Sequence, residues 1–286
     1  MKIIKKIGSI LFCLLPFLLA FGIQLIVTIA GIILRLIFMV LKDPSLIRTM
    51  TNPYFIYDLI NDSQFLVVLN AVYAIIAALA LGFWYWKRFV PKKQPHRKVS
   101  SIINFRMFAG LVLLMLGLQH LSIYLVYLVS SINPVWYDTY ETLLESIGFG
   151  DITLLLAAYS IFIAPISEEL IFRGVTMKYA AKTMPFFLAN IFQAFLFGLL
   201  HGNMIQGTYA FFIGLFCGYI CQKGGSIYLS ILFHMLFNLW GTFAPEVLSY
   251  TGDSILVHLL ILATAACVSF AGFFLYRTGV EKRPSV

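Results

Sequence analysis

The chain has 286 residues, 61% of them hydrophobic and 11% charged, with a mean hydropathy of +0.92. Soluble domains carry about a quarter charged residues, so an ordinary soluble fold is excluded and a polytopic membrane protein is indicated. The net charge of +8 arises from loop asymmetry described below and gives no ground for a nucleic-acid partner.

A helix needs about 20 apolar residues to cross a hydrocarbon core roughly 30 Å thick. About eight candidates occur, near 7–34, 65–86, 103–129, 152–172, 186–201, 208–221, 227–244 and 255–276. The first follows Lys2, Lys5 and Lys6 but stays apolar past Val27. That exceeds the 7 to 15 residues of a signal-peptide core, so a retained span is expected. Cys13, Cys217, Cys221 and Cys267 fall in spans without a CxxC pair and read as small apolar residues.

After the second span, residues 87–101 form a basic loop with Pro91 and Pro95, the main cytoplasmic excursion. It sets topology and suits anionic headgroups equally well. After the third, residues 132–151 carry Trp136, Tyr137 and Tyr140, which fit the headgroup level, and part of this loop is expected to lie flat as a short helix. Alternate turns of the chain hold 17 of the 20 basic residues, while the opposite loops hold nine of the 12 acids. Cytoplasmic loops are enriched in Lys and Arg, so both termini are expected to be cytoplasmic in a multi-pass cell-membrane protein.

Backbone groups in lipid must be satisfied within each segment, which makes the spans helices. The expected fold class is therefore all-α, a polytopic transmembrane helix bundle forming one integral membrane domain over 1–286. Within it, 1–150 are N-terminal spans, 151–245 hold the polar motifs in spans 4 to 7, and 246–286 are the last span and tail.

Ionisable groups at bilayer depth default to a functional role. In the fourth span Pro165 precedes Glu168 and Glu169. Proline has no N–H, so the carbonyl of Ile161 should lose its partner and the helix should kink. Glu169 and Arg173, four apart, can pair on one face, leaving Glu168 without that partner. In the fifth span Asn190, Gln193, Phe197 and His201 make a stripe at helical spacing, and in the seventh Ser230, His234 and Asn238 step by four. His120, beside Gln119, reads as a hydrogen-bonded core residue.

Two chemical schemes fit these groups. In one, Glu168 or Glu169 with a histidine polarises a water for attack on a carbonyl, while a histidine and Asn238 donate to the developing oxyanion. In the other, Glu168, His201 and His234 hold zinc with water in the fourth position. No HExxH occurs, so a zincin pattern has no support.

Glu168-Glu169-Leu170-Ile171-Phe172-Arg173, Phe197-Gly198-Leu199-Leu200-His201 and His234-Met235-Leu236-Phe237-Asn238 resemble, in order, the EExxxR, FxxxH and HxxxN motifs of the CPBP family. This is the CAAX-protease and bacteriocin-processing group of intramembrane endopeptidases. Gly224 and Gly225 sit where that family tends to turn, and the resemblance covers about 152–242. It implies hydrolysis of a peptide bond in a membrane-bound substrate, a prenylated CAAX-type peptide or a leader peptide of bacteriocin type. It further implies Glu168 as water-activating carboxylate assisted by His201, His234 and Asn238 on the oxyanion side, and Glu169 with Arg173 as support. Members are called metalloproteases, and relatives have also been read as glutamate proteases, so zinc stays open.

A cavity opening toward the cytoplasmic side is expected. Gly214 and Gly218 form a GxxxG, assigned to packing within a monomer. The rivals are a proton- or metal-coupled transporter, against which no internal repeat is seen, and a non-catalytic peptide-binding immunity protein, against which every motif position is kept. One mismatch remains. His201 lies 16 residues beyond Pro185, roughly 24 Å at about 1.5 Å per residue, deeper than Glu168 or His234, so the fifth helix is expected to start below the cytoplasmic surface.

Overall fold

Side-chain caps decide where most of the helices begin. Asp62, Asn104, Asn133, Thr153, Asn203, Ser226 and Ser254 each accept a hydrogen bond from a backbone N–H two or three residues ahead, satisfying donors that a helix start leaves orphaned. The computed structural model describes residues 8–48, 52, 55, 62–92, 98–244 and 252–283. Lys2, Lys5, Lys6, Lys93 and Arg97, among the 17 basic residues counted above, and Asp58 and Glu246, among the nine acids, lie outside them.

The helices are α1 (Leu15–Lys42), α2 (Ser63–Phe89), α3 (Phe105–Ile132), α4 (Pro134–Ser146), α5 (Leu154–Thr183), α6 (Phe186–Leu200), α7 (Met204–Gly224), α8 (Ile227–Phe243) and α9 (Ile255–Glu281). Short turns at Pro44–Arg48 and Val99–Ile102 connect them. No strand occurs among the described residues. Six helical segments are long and apolar enough to cross a membrane, the first being Gly8–Lys42, while α6 and α8 are shorter. The bundle of about eight apolar helices is thus as expected, with α4 as the short helix of the aromatic loop. The fourth helix continues to Thr183, beyond the expected end at 172, because the sequence Met177–Thr183 keeps helix-forming Ala and Lys and meets no breaker before Pro185.

Two packing units divide the bundle. In one, α3 and α9 lie antiparallel in close backbone contact. A methyl at Gly110 would meet Tyr276 N at 2.5 Å, and methyls at Gly117 and Gly272 would collide with Ser269 and Leu114. Tyr276 ties this pair to α7 by donating to the Ile220 carbonyl at 2.8 Å. In the other, α2 packs against α5, and α5 against α6, α7 and α8. Their core joins Tyr73, Ile171, Phe172, Phe197 and Ala210. At the α1–α2 end Arg35 pairs with Asp62 at 2.7 Å and its guanidinium lies 4.3 Å from the Phe65 ring centroid. That pairing, after the stronger effect of the Phe65 N–H, holds the Asp62 carboxyl below its ordinary range.

Candidate active site

α5 is not a uniform helix. Two π-helical stretches, Tyr159–Ile163 and Leu170–Thr176, flank an α-helical turn, Ala164–Glu169. Such insertions are rare and concentrate at functional sites. The proline explains the first. With Ala164 N–H bonded to the carbonyl of Tyr159, five back, the next carbonyl, Ser160, would need the N–H of residue 165, which proline lacks. The orphan expected at Ile161 is therefore at Ser160. Asn238 of α8 fills it, its Nδ2 donating to Ser160 O at 2.8 Å.

The acid pair lies between the two stretches. Glu169 and Arg173 are fully buried and bonded, Nη1 to Oε1 at 2.8 Å, as their spacing predicts. Arg173 Nη2 donates to the Gly214 carbonyl at 3.0 Å, and Gln193 Nε2 donates to the same oxygen at 3.0 Å. Gln193 also reaches Asn190 Oδ1, and Asn190 Nδ2 donates to Leu215 O. This polar layer depends on missing side chains in α7. A methyl at Gly214 would press on Ala194 and Phe197 at 3.1 Å, and one at Gly218 would overlap Asn190 Oδ1. The GxxxG thus serves packing within one chain.

His234 links the two acids. Its Nδ1 lies 3.0 Å from Glu169 Oε1, and beside a carboxylate fixed by Arg173 that nitrogen is the donor. Nε2 then carries the lone pair and faces Glu168 Oε2 at 3.6 Å, too long for a direct hydrogen bond. Two acceptors confront each other across a space that calls for a shared proton or a water. The Glu168 side chain is 17% exposed, against 0% for Glu169.

His201 caps the end of α6. Its Nδ1 donates to the Phe197 carbonyl at 2.9 Å, again leaving Nε2 as an acceptor. The Phe197 ring sits between the histidines, 5.0 Å from His201 and 5.6 Å from His234, with the Arg173 guanidinium 4.6 Å from its centroid. His201 and His234 thus flank one ring, which sets the end of α6 beside α8.

The residues singled out in the sequence therefore converge, with one difference. Asn238 has one amide hydrogen on Ser160, so its immediate duty is to the α5 backbone. Beyond the acid pair, Ile171, Phe172, Arg173 and Val175 are fully buried. Tyr73 of α2, Tyr159 of α5 and Tyr209 of α7 interact electrostatically with Glu168. Tyr209 also interacts with Tyr140 of α4. The tyrosines were missed in the sequence, where in apolar helices they look like any other aromatic; a hydroxyl at depth was their one signal.

For a metal, one group of ligand-type residues among the described residues has its donor atoms within 4.8 Å of one another: Glu169, Cys217 and His234. It fits a dication poorly, since Glu169 Oε1 already accepts from Arg173 and His234 Nδ1 is protonated toward it. The set expected from the sequence, Glu168, His201 and His234, is not a group whose donor atoms gather within that distance, although no hydrogen bond occupies Glu168 Oε2, His234 Nε2 or His201 Nε2.

The apolar helix bundle buries a guanidinium, a carboxylate and an imidazole in one network, with a second carboxylate at its edge. Residues 150–240 match the family model described as type II CAAX prenyl endopeptidase Rce1-like. The resemblance to the CPBP family read from the three motifs is borne out over that segment. No curated protein and no solved structure matches the chain.

Proposed function

We propose that the protein is an intramembrane endopeptidase that hydrolyses a peptide bond of a membrane-bound peptide, of CAAX type or leader type, with Glu168 as general base. The observation that carries this reading is the 3.6 Å separation of Glu168 Oε2 and His234 Nε2, two acceptors held face to face. A water donating to both is oriented by them. Glu168 removes its proton as the oxygen attacks the scissile carbonyl, and the same proton passes to the leaving amine as the tetrahedral intermediate collapses. Products are a carboxylic acid, which keeps the second proton of the water until it ionises to solvent, and an amine.

Glu169 and Arg173 act through His234, fixing its tautomer and ring as a buried carboxylate does for any catalytic imidazole. Zinc, when bound, would be held by Glu168, His201 and His234 and would supply a more acidic water. The clustering of 17 of the 20 basic residues in alternate turns of the chain supports cytoplasmic termini, and the internal use of Gly214 and Gly218 favours a monomer.

The test is cleavage of a prenylated CAAX-type peptide and of a leader-type peptide in liposomes by the parent, Glu168→Ala and His234→Ala. Cleavage by the parent with a loss of about 10²–10⁴-fold in both variants is expected. Parental rates in both variants, or peptide transport without cleavage, would remove the reading.

A further inference from the structure

The three motifs leave the oxyanion side of the reaction short of donors. Asn238 has one amide hydrogen on Ser160 O, His234 Nε2 presents its lone pair toward Glu168, and His201 uses its N–H on the Phe197 carbonyl. A developing oxyanion needs preorganised N–H or O–H donors. One such donor comes from α2, outside the segment matched by the family model.

Tyr73 lies on α2 where that helix packs against Ala164–Glu169, the turn carrying both acids. The residue is 7% exposed and shares a core cluster with Ile171, Phe172 and Phe197. Its hydroxyl is buried without a hydrogen-bond partner. An unsatisfied buried hydroxyl costs about 1–3 kcal/mol, and phenylalanine, used at 172 and 197 in the same cluster, would fill the space without that cost. The hydroxyl interacts electrostatically with Glu168, and Tyr159 with both. A buried O–H beside the turn that carries both acids, without a partner in the resting protein, is disposed to acquire one when substrate enters.

Resting on the hydrolase reading, we infer that Tyr73 is a further catalytic residue, whose O–H donates to the oxyanion formed from the scissile carbonyl bound between it and Glu168. No bond to Tyr73 forms or breaks; it keeps its proton throughout.

Tyr73→Phe keeps the ring and its packing and removes only the donor. With the peptides and liposomes named above, kcat should fall about 10²-fold with KM nearly unchanged. A phosphinate analogue of the peptide, which mimics the tetrahedral intermediate, should lose affinity by the same factor. The thermal unfolding midpoint in detergent should match the parent. Parental kcat in Tyr73→Phe overturns the inference while leaving the hydrolase reading intact. Equal weakening of substrate and phosphinate binding overturns it as well, since that is what a packing role gives. A parent that cleaves neither peptide removes the hydrolase reading and this inference together.

Discussion

The α3–α9 pair and the α5–α8 region solve the same problem by opposite means. Both bring helices into close contact in a medium where apolar burial between helices adds little. The pair does it by omission: Gly110, Gly117 and Gly272 let one backbone lie on the other. The α5–α8 region does it by side-chain hydrogen bonds to main-chain carbonyls, Arg173 and Gln193 on Gly214 and Asn238 on Ser160. A glycine contact has no chemistry to lend, whereas a network that ends on a carboxylate and an imidazole has. The family model covers the second region and leaves the first outside it.

Three substitutions would break or sharpen that contrast. The largest effect is expected for Arg173→Met, which leaves Glu169 buried without its cation. Removing one partner of such a pair costs about 3–5 kcal/mol, and the unfolding midpoint should drop steeply together with cleavage. Gly110→Ala comes next, at about 1–3 kcal/mol from overpacking, because its methyl would meet Tyr276 backbone. In the variant that remains folded, kcat should stay near parental; a specific loss of kcat would show that the pair does take part in catalysis. Asn238→Ala should cost about 1–2 kcal/mol, toward the lower end for an unsatisfied carbonyl, since Ser160 is half-buried and can be re-solvated. Differential scanning in detergent measures all three, and Asn238→Ala should lower cleavage by more than its stability loss accounts for, because Glu168 lies downstream of the stretch that Asn238 supports.

Much of the site was legible because helical spacing is a reliable ruler. The i to i+4 relation of Glu169 and Arg173 gave their pairing, and the stripe through Asn190, Gln193 and Phe197 gave a buried face. The π-helical register was not legible, since five apolar residues, Tyr159 to Ile163, satisfy either helical period equally. That is why the orphan carbonyl was placed one residue late. The function of Asn238 depends on that register and was hidden with it. Tyr73 was invisible for another reason: it belongs to an apolar helix about ninety residues upstream of the acids, and only folding brings it beside them. The α3–α9 contact was readable in principle, as Gly110 and Gly117 recur at seven residues and so do Gly272 and Gly279, but such spacing signals contact only once the partner helix is known.

The π-helical stretch at Tyr159–Ile163 also gives α5 a local tolerance of length. It holds one residue more than an α-helix of the same shape requires, so deleting one of those five would let the segment relax into ordinary helix with its two flanks still in phase. The same deletion in an α-helical part, such as Leu154–Ala158, meets no such slack, and at 3.6 residues per turn one flank would turn about 100° relative to the other. Either Thr153 and the start of α5 would then leave their place beside α2, or Glu168 and Glu169 would swing away from His234. Within the π-helical stretch the cost falls instead on the contact of Asn238 with Ser160.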